Sequence, residues 1–421
     1  MLVPRDSHLD KAWGIVYQLL HGRLTLDDLA RQVEDARLPA LQARVDGLLR
    51  QLASHDEQDN EARLRALLVE LAQEDGARVP FARFAQLVGS ELAGIVLTAH
   101  PTFSLSAEAY ALALELVRAG AAGPRRETGV SPGVRQIAAP VRRLAPPTLK
   151  DELELSMAAL EQLRKAIRRV LRVVLDVGAE LYPREYRALR PQLVTVATWV
   201  GFDVDGRTDI GWSKSLSCRY ELALAGLAEL RASLAEIGER HSNLAPDAAA
   251  ALDAIRANLD VFAECFEIGM QALGREAEDS TRLGKLNRLA LEKRPLKQDA
   301  LASIDGALGA LLAAAHSDAL AKDAIVLRAE WELLGLGLAR LHFRLNSVQL
   351  HNAIRPEIAL AAQPGQSQSR RHFLAEVSRL LDGVTPVNVH YGTVAREQTT
   401  AKRVLMLAAQ FHKHFDGRTP M

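Results

Sequence analysis

The chain has 421 residues, with Lys plus Arg and Asp plus Glu both counting 52, so its formal net charge is zero. That balance excludes the basic footprint of a general nucleic-acid or membrane-surface binder, and no apolar run approaches the roughly 20 residues of a bilayer span. Two cysteines, Cys218 and Cys265, match no metal or redox spacing, and the start of the chain lacks the apolar core of a signal peptide. The expectation is a soluble globular protein of a reducing cytoplasm.

From residue 8 to about 90 the pattern is helix after helix. Thr25 and Asp28 form a capping box, and Pro39 stands at a first helical position ahead of Leu41, Val45 and Leu48. A helix over 60–74 stops at Asp75-Gly76, and another follows Pro80. Residues 1–92 therefore read as an amino-terminal helical region, without chemistry of its own.

Next comes Gly94-Ile95-Val96-Leu97-Thr98-Ala99, a short apolar run between long helical patterns, which reads as a buried strand of a parallel sheet. His100, Pro101 and Thr102 follow at its carboxyl end, where α/β sheets keep their chemistry. Pro101 holds His100 in an extended conformation. Taken alone, His100 is also compatible with a core histidine bonded to a neighbouring carbonyl.

A helix over 106–119 and a Gly/Pro-rich loop over 120–147 come next. Thr148 and Asp151 form a second capping box, opening a helix that runs to Tyr182-Pro183. Residues 193–199 are a second strand, rich in β-branched side chains, which opens into Asp203-Val204-Asp205-Gly206. Helices follow over 213–237, 246–273, 297–316 and 319–335. The third strand, 338–344, ends in Arg344 and opens into Asn346, Ser347, Gln349 and His351. A Gln/Ser-rich loop over 361–371 and a helix over 394–414 complete the pattern. Strands joined through helices must lie parallel, so 93–421 reads as helix-covered βα units, too few in number for a closed barrel.

Three strand ends thus offer an imidazole, a carboxylate pair and an arginine. Asp203 and Asp205 do not make a calcium loop of the EF-hand type, because Arg207 and Lys214 stand where ligands are needed. They either cap the following helix or hold a cation or an arginine. Arg344, at the end of a buried strand, requires a carboxylate or an anionic ligand. His351 is the weaker candidate. No metal ligands are assigned.

Thr98-Ala99-His100-Pro101-Thr102 resembles the TAHPT signature of the phosphoenolpyruvate carboxylase family. Trp199-Val200-Gly201-Phe202-Asp203-Val204-Asp205-Gly206 is similar to that family's second block, SWMGGDRDGNP. Residues 338–344 with Ser347 and His351 are similar to the third, LVRIDIRQES followed by a histidine. The three blocks stand in the family's order. The resemblance implies a mainly helical protein with a few short parallel strands, an incomplete (β/α)8 barrel with large helical insertions. It implies carboxylation of phosphoenolpyruvate by bicarbonate to oxaloacetate and phosphate, with Mg2+ or Mn2+ whose ligands lie outside this chain. His100 would serve the carboxyphosphate step, Arg344 and Thr102 would bind substrate, and Asp203, Asp205 and Gly206 would shape the site. A cytoplasmic homo-oligomer, a tetramer, is implied, and the chain is expected to be an amino-terminal fragment, inactive and poorly stable by itself.

The chain departs from the pattern at several positions. Phe103 replaces a Glu, Phe202 a Gly, Val204 an Arg, Arg207-Thr208 an Asn-Pro, His342 an Asp and Asn346 a Glu. The loss of charge leaves a second expectation, a non-catalytic helical paralogue acting as a binding protein.

Overall fold

The computed structural model describes residues 7–33, 57–97, 148–203, 210–273, 280–343, 345–354, 370–385 and 388–415, with the single positions 35, 39 and 43. The chain divides into two units, one of residues 1–66 with 100–151 and one of 67–99 with 152–421.

In the first unit, α1 (Ser7–Leu20) is followed by a helical stretch over 26–33. The Thr25 hydroxyl donates to Asp28 Oδ2 at 2.6 Å, and the Asp28 amide donates back to Thr25 Oγ1 at 3.2 Å. The second box is also formed. Thr148 donates to Asp151 from its hydroxyl and its amide at 2.7 and 2.9 Å, and holds the Asp151 carboxyl below its ordinary pKa. This box opens the long helix that begins at Leu149 by satisfying amides that a helix start leaves unpaired.

The helix α2 (Glu57–Leu71) runs into a two-strand antiparallel hairpin, β1 (Gln73–Glu74) and β2 (Ala77–Arg78), that the helical periodicity does not reveal. Its turn is Asp75-Gly76, both at positive φ. The long helix α3 (Leu149–Leu181) ends where Tyr182 turns to donate its hydroxyl to the Val79 carbonyl at 2.7 Å. A short helix, α4 (Phe81–Val88), precedes β3 (Ala93–Leu97).

The second unit is otherwise helical: α5 (Trp212–Arg240), α6 (Pro246–Leu273), α7 (Ser280–Glu292), α8 (Arg294–Ala313), α9 (Asp318–Leu334), α10 (Ser347–Ile354), α11 (Arg370–Asp382), α12 (Tyr391–Arg396) and α13 (Thr400–His414). Helix α6 shows why. Its alanine-rich sequence favours the helix, and Ala248, Leu252, Ile255, Leu259, Phe262 and Phe266 repeat at three- and four-residue spacing, all buried. That stripe packs between α5 and α8. Residues 394–414 form two helices rather than one, divided at Glu397, whose carboxylate accepts from the Thr399 amide at 2.7 Å. No described helix is long and apolar enough to cross a membrane.

Three strands carry the site. β3, β4 (Val194–Thr198) and β5 (Arg340–Leu341) form one parallel sheet in that order. Ala93 to Leu97 pair with Val194 to Thr198, and Ala197 and Thr198 with Arg340 and Leu341. The mainly helical architecture with a few short parallel strands agrees with the sequence reading. One expectation is corrected: β3 is not buried. Four of its five residues are exposed, Ile95 by 37% and Val96 by 40%, and Leu97 is half-buried. The reason is topological. Among the described residues β3 pairs on one side only.

Candidate functional site

The three strand ends meet at Thr198, the last residue of the central strand, which is fully buried. Its carbonyl accepts the His342 amide at 2.9 Å, just past β5. Its hydroxyl donates to the carbonyl of Leu97, the end of β3, at 3.3 Å, and accepts the Val200 amide at 3.2 Å. Ser156, from the long helix α3, lies 3.4 Å from the same oxygen. One threonine thus ties three ends and a covering helix together. The sequence did not single it out, because Thr195 in the same strand carries the same local signal and only the packing distinguishes the two.

Beyond Thr198 the chain turns sharply. The Trp199 carbonyl accepts the amides of Phe202 and Asp203 at 2.8 and 3.0 Å. Gly201 has φ +86°, a conformation that disfavours a side chain, and a β-carbon there would fall 2.6 Å from Cys218 Sγ. Ser215 donates to the Gly201 carbonyl at 2.7 Å, fixing the turn to the first helical turns of α5. Burial pushes the Cys218 thiol up to about 12, so it is an inert packing group.

Phe202, standing where the resembled pattern has glycine, is buried against Phe343 and Phe411, with ring centres 5.6 and 5.9 Å away. Asn346 caps α10, its side-chain oxygen accepting the Val348 amide at 2.8 Å. His342 is exposed beside Trp199, and His351 is exposed on α10.

Of the residues expected to form the site, Asp203 is the one the structure describes. It is half-buried at the end of the Trp199 turn, and its Oδ1 is enclosed with no hydrogen-bond partner among the described residues. His100, Thr102, Asp205, Gly206 and Arg344 lie outside the described residues. β3 ends three residues before His100, and β5 ends three before Arg344.

No group of three or more His, Cys, Asp or Glu among the described residues could hold a metal ion. A single Asp203 oxygen does not amount to a divalent-metal site, which takes several oxygen ligands. The resemblance places the ligands of Mg2+ or Mn2+ outside this chain, and the described residues supply no such set. No protein-family model matches the chain, and no curated protein matches it either.

Proposed function

We propose that this chain carries part of a phosphoenolpyruvate carboxylase site, catalysing carboxylation of phosphoenolpyruvate by bicarbonate to oxaloacetate and phosphate. The observation that carries the reading is the enclosed, unpartnered carboxylate oxygen of Asp203 at the carboxyl end of a parallel sheet. An enclosed carboxylate without a donor is unfavourable, and a cationic side chain or a ligand proton relieves it. Support comes also from the sheet order: the strands of the three blocks are adjacent and parallel.

In this reading Arg344 pairs with Asp203 at rest and turns to the substrate phosphate when it binds, helped by Thr102. Bicarbonate attacks that phosphate, giving carboxyphosphate and the enolate of pyruvate, and His100 serves this step. Carboxyphosphate breaks down to phosphate and carbon dioxide, which the enolate takes up. Asp205 and Gly206 hold the loop. The fold would be an incomplete (β/α)8 barrel in a cytoplasmic homo-oligomer, with metal ligands supplied from outside this chain.

The test is bicarbonate-dependent release of phosphate from phosphoenolpyruvate, run on this chain and on a form extended at its carboxyl end. Activity confined to the extended form, abolished by His100→Asn with substrate binding retained, is the expected result. Turnover that survives His100→Asn would remove that residue's role.

A second reading, a helical binding protein without catalysis, is favoured by the structural work that Phe202 and Asn346 perform at positions where the family pattern differs. Substrate binding without turnover in both forms would select it.

A further inference from the structure

A second concentration of charge lies where the first turn of α8 meets the last turn of α13. A cavity of about 350 Å3 opens there, lined among others by Arg294, Lys297, Gln298, His412, Lys413 and His414. None of the described lining residues carries a carboxylate. Arg294 and Lys297 sit in the first turn of α8, which holds no acidic residue, so they add to the positive end of the helix dipole instead of offsetting it.

Lys297 is buried, and its ammonium donates to the His414 carbonyl, closing the end of α13. That structural role uses one of three ammonium protons. It accounts neither for Arg294, whose Nε is enclosed without a partner, nor for His414, a buried ring whose Nδ1 also has none. Burial first, and then the charges of Lys297, Lys413 and Arg294, push the His414 imidazole down to about 3, while the Ala290 carbonyl accepts from the ring. The ring is therefore neutral, and the bare Nδ1 is an acceptor in want of a hydrogen. A water molecule would satisfy that acceptor but bring no negative charge to Arg294, Lys297 and Lys413, which meet no carboxylate among the described lining residues.

We propose that this cavity binds a small oxyanion that still carries an O–H, of the hydrogenphosphate class. Arg294, Lys297 and Lys413 take its charge, and His414 Nδ1 accepts its hydroxyl hydrogen. Free phosphate and a phosphomonoester share this chemistry. The site is independent of the strand-end reading and stands or falls separately.

The experiment is calorimetric titration of the full chain near pH 6, at constant ionic strength, with inorganic phosphate, methyl phosphate and sulfate. Expected is saturable binding of one or both phosphates, at least about tenfold tighter than sulfate, which has no O–H to offer. Which of the two phosphates binds identifies the source. Arg294→Gln and Lys413→Gln should each weaken binding by about fivefold or more, the scale of one charge-assisted contact. Circular dichroism checks that both variants remain folded; Lys297 is left intact because it closes α13. Absence of saturable phosphate binding, equal affinity for sulfate, or undiminished binding in both variants would overturn the proposal. Phosphate held at the strand-end loops would be indifferent to both substitutions.

Discussion

The sulfur of Cys218 lies over the α-carbon of Gly201, so close that a β-carbon there would sit 2.6 Å from it. This contact makes the turn after β4 dependent on glycine twice over, through space and through φ. Gly201→Ala should destabilise the protein by about 2–4 kcal/mol, combining overpacking with backbone strain. Adding Cys218→Ala should recover only part of the overpacking share, because the β-carbon of residue 218, 2.8 Å from the added one, remains. Urea denaturation of the wild type, the single variants and the double variant measures both parts, and complete recovery would mean that the positive φ costs nothing.

Glu330 on α9 is buried and shared by two guanidinium groups of α3, with Arg164 Nε at 3.0 Å and Arg168 Nε at 2.5 Å. Arg164 is fully buried, and its two terminal nitrogens have no partner. Burial lowers its pKa, opposed by the Glu330 charge. Removing the carboxylate strands a charge in the interior, so Glu330→Leu should cost about 3–5 kcal/mol. Arg164→Met with Glu330→Leu should lie much closer to wild type. If the double variant is as unstable as the single one, the stranded charge is not the cause.

His414 titrates near 6.5 when unfolded and is pushed down to about 3 by burial in the native chain. Between these values the unfolded state binds more protons, so this group's contribution to stability falls as pH drops from about 6.5 towards 3. His414→Gln should remove that contribution. Comparing urea midpoints at pH 7 and pH 4.5, wild type should lose more than the variant; an equal loss would contradict the assignment.

Asp203 keeps an enclosed oxygen without a donor, an arrangement that costs stability and is kept where function needs it. Asp203→Asn should leave the thermal midpoint unchanged or raise it, while tightening phosphoenolpyruvate binding by about tenfold, because Arg344 then has no carboxylate to leave. A lowered midpoint with unchanged binding would make Asp203 a structural residue.

Among the described residues, the side of β3 away from β4 has no strand partner beside the exposed Ile95 and Val96. Unpaired strand edges recruit other strands, and a lysine on them blocks that pairing. Val96→Lys should reduce concentration-dependent self-association in sedimentation velocity without lowering the urea midpoint.

Much of the fold was legible. The helix over 246–273 could be read to its ends, because its apolar stripe repeats at helical spacing from Pro246 to Leu273. Both capping boxes were legible because their partners are three residues apart. The three strands were legible as short apolar runs between helices, and their parallel pairing followed from the length of the connections. The hairpin at 73–78 was not, since two-residue strands carry no period. Asp203 was named from its turn, but not the enclosure of its oxygen, which depends on what packs over that turn.

By itself, then, the sequence determined the longer helices and the order of the three parallel strands, but not the hairpin at 73–78 or the helices over 280–292, 347–354 and 370–382. Capping, periodicity and turn chemistry act between residues a few positions apart and speak clearly only in long elements. Only the tertiary structure decided that β3 is largely exposed, that Gly201 must be glycine, and which charges are buried. Arg164 meets Glu330 across 166 positions, and Lys297 meets the His414 carbonyl across 117. Pairings of that range leave no local pattern. They arise when apolar faces pack and bring along whatever polar side chains those faces carry.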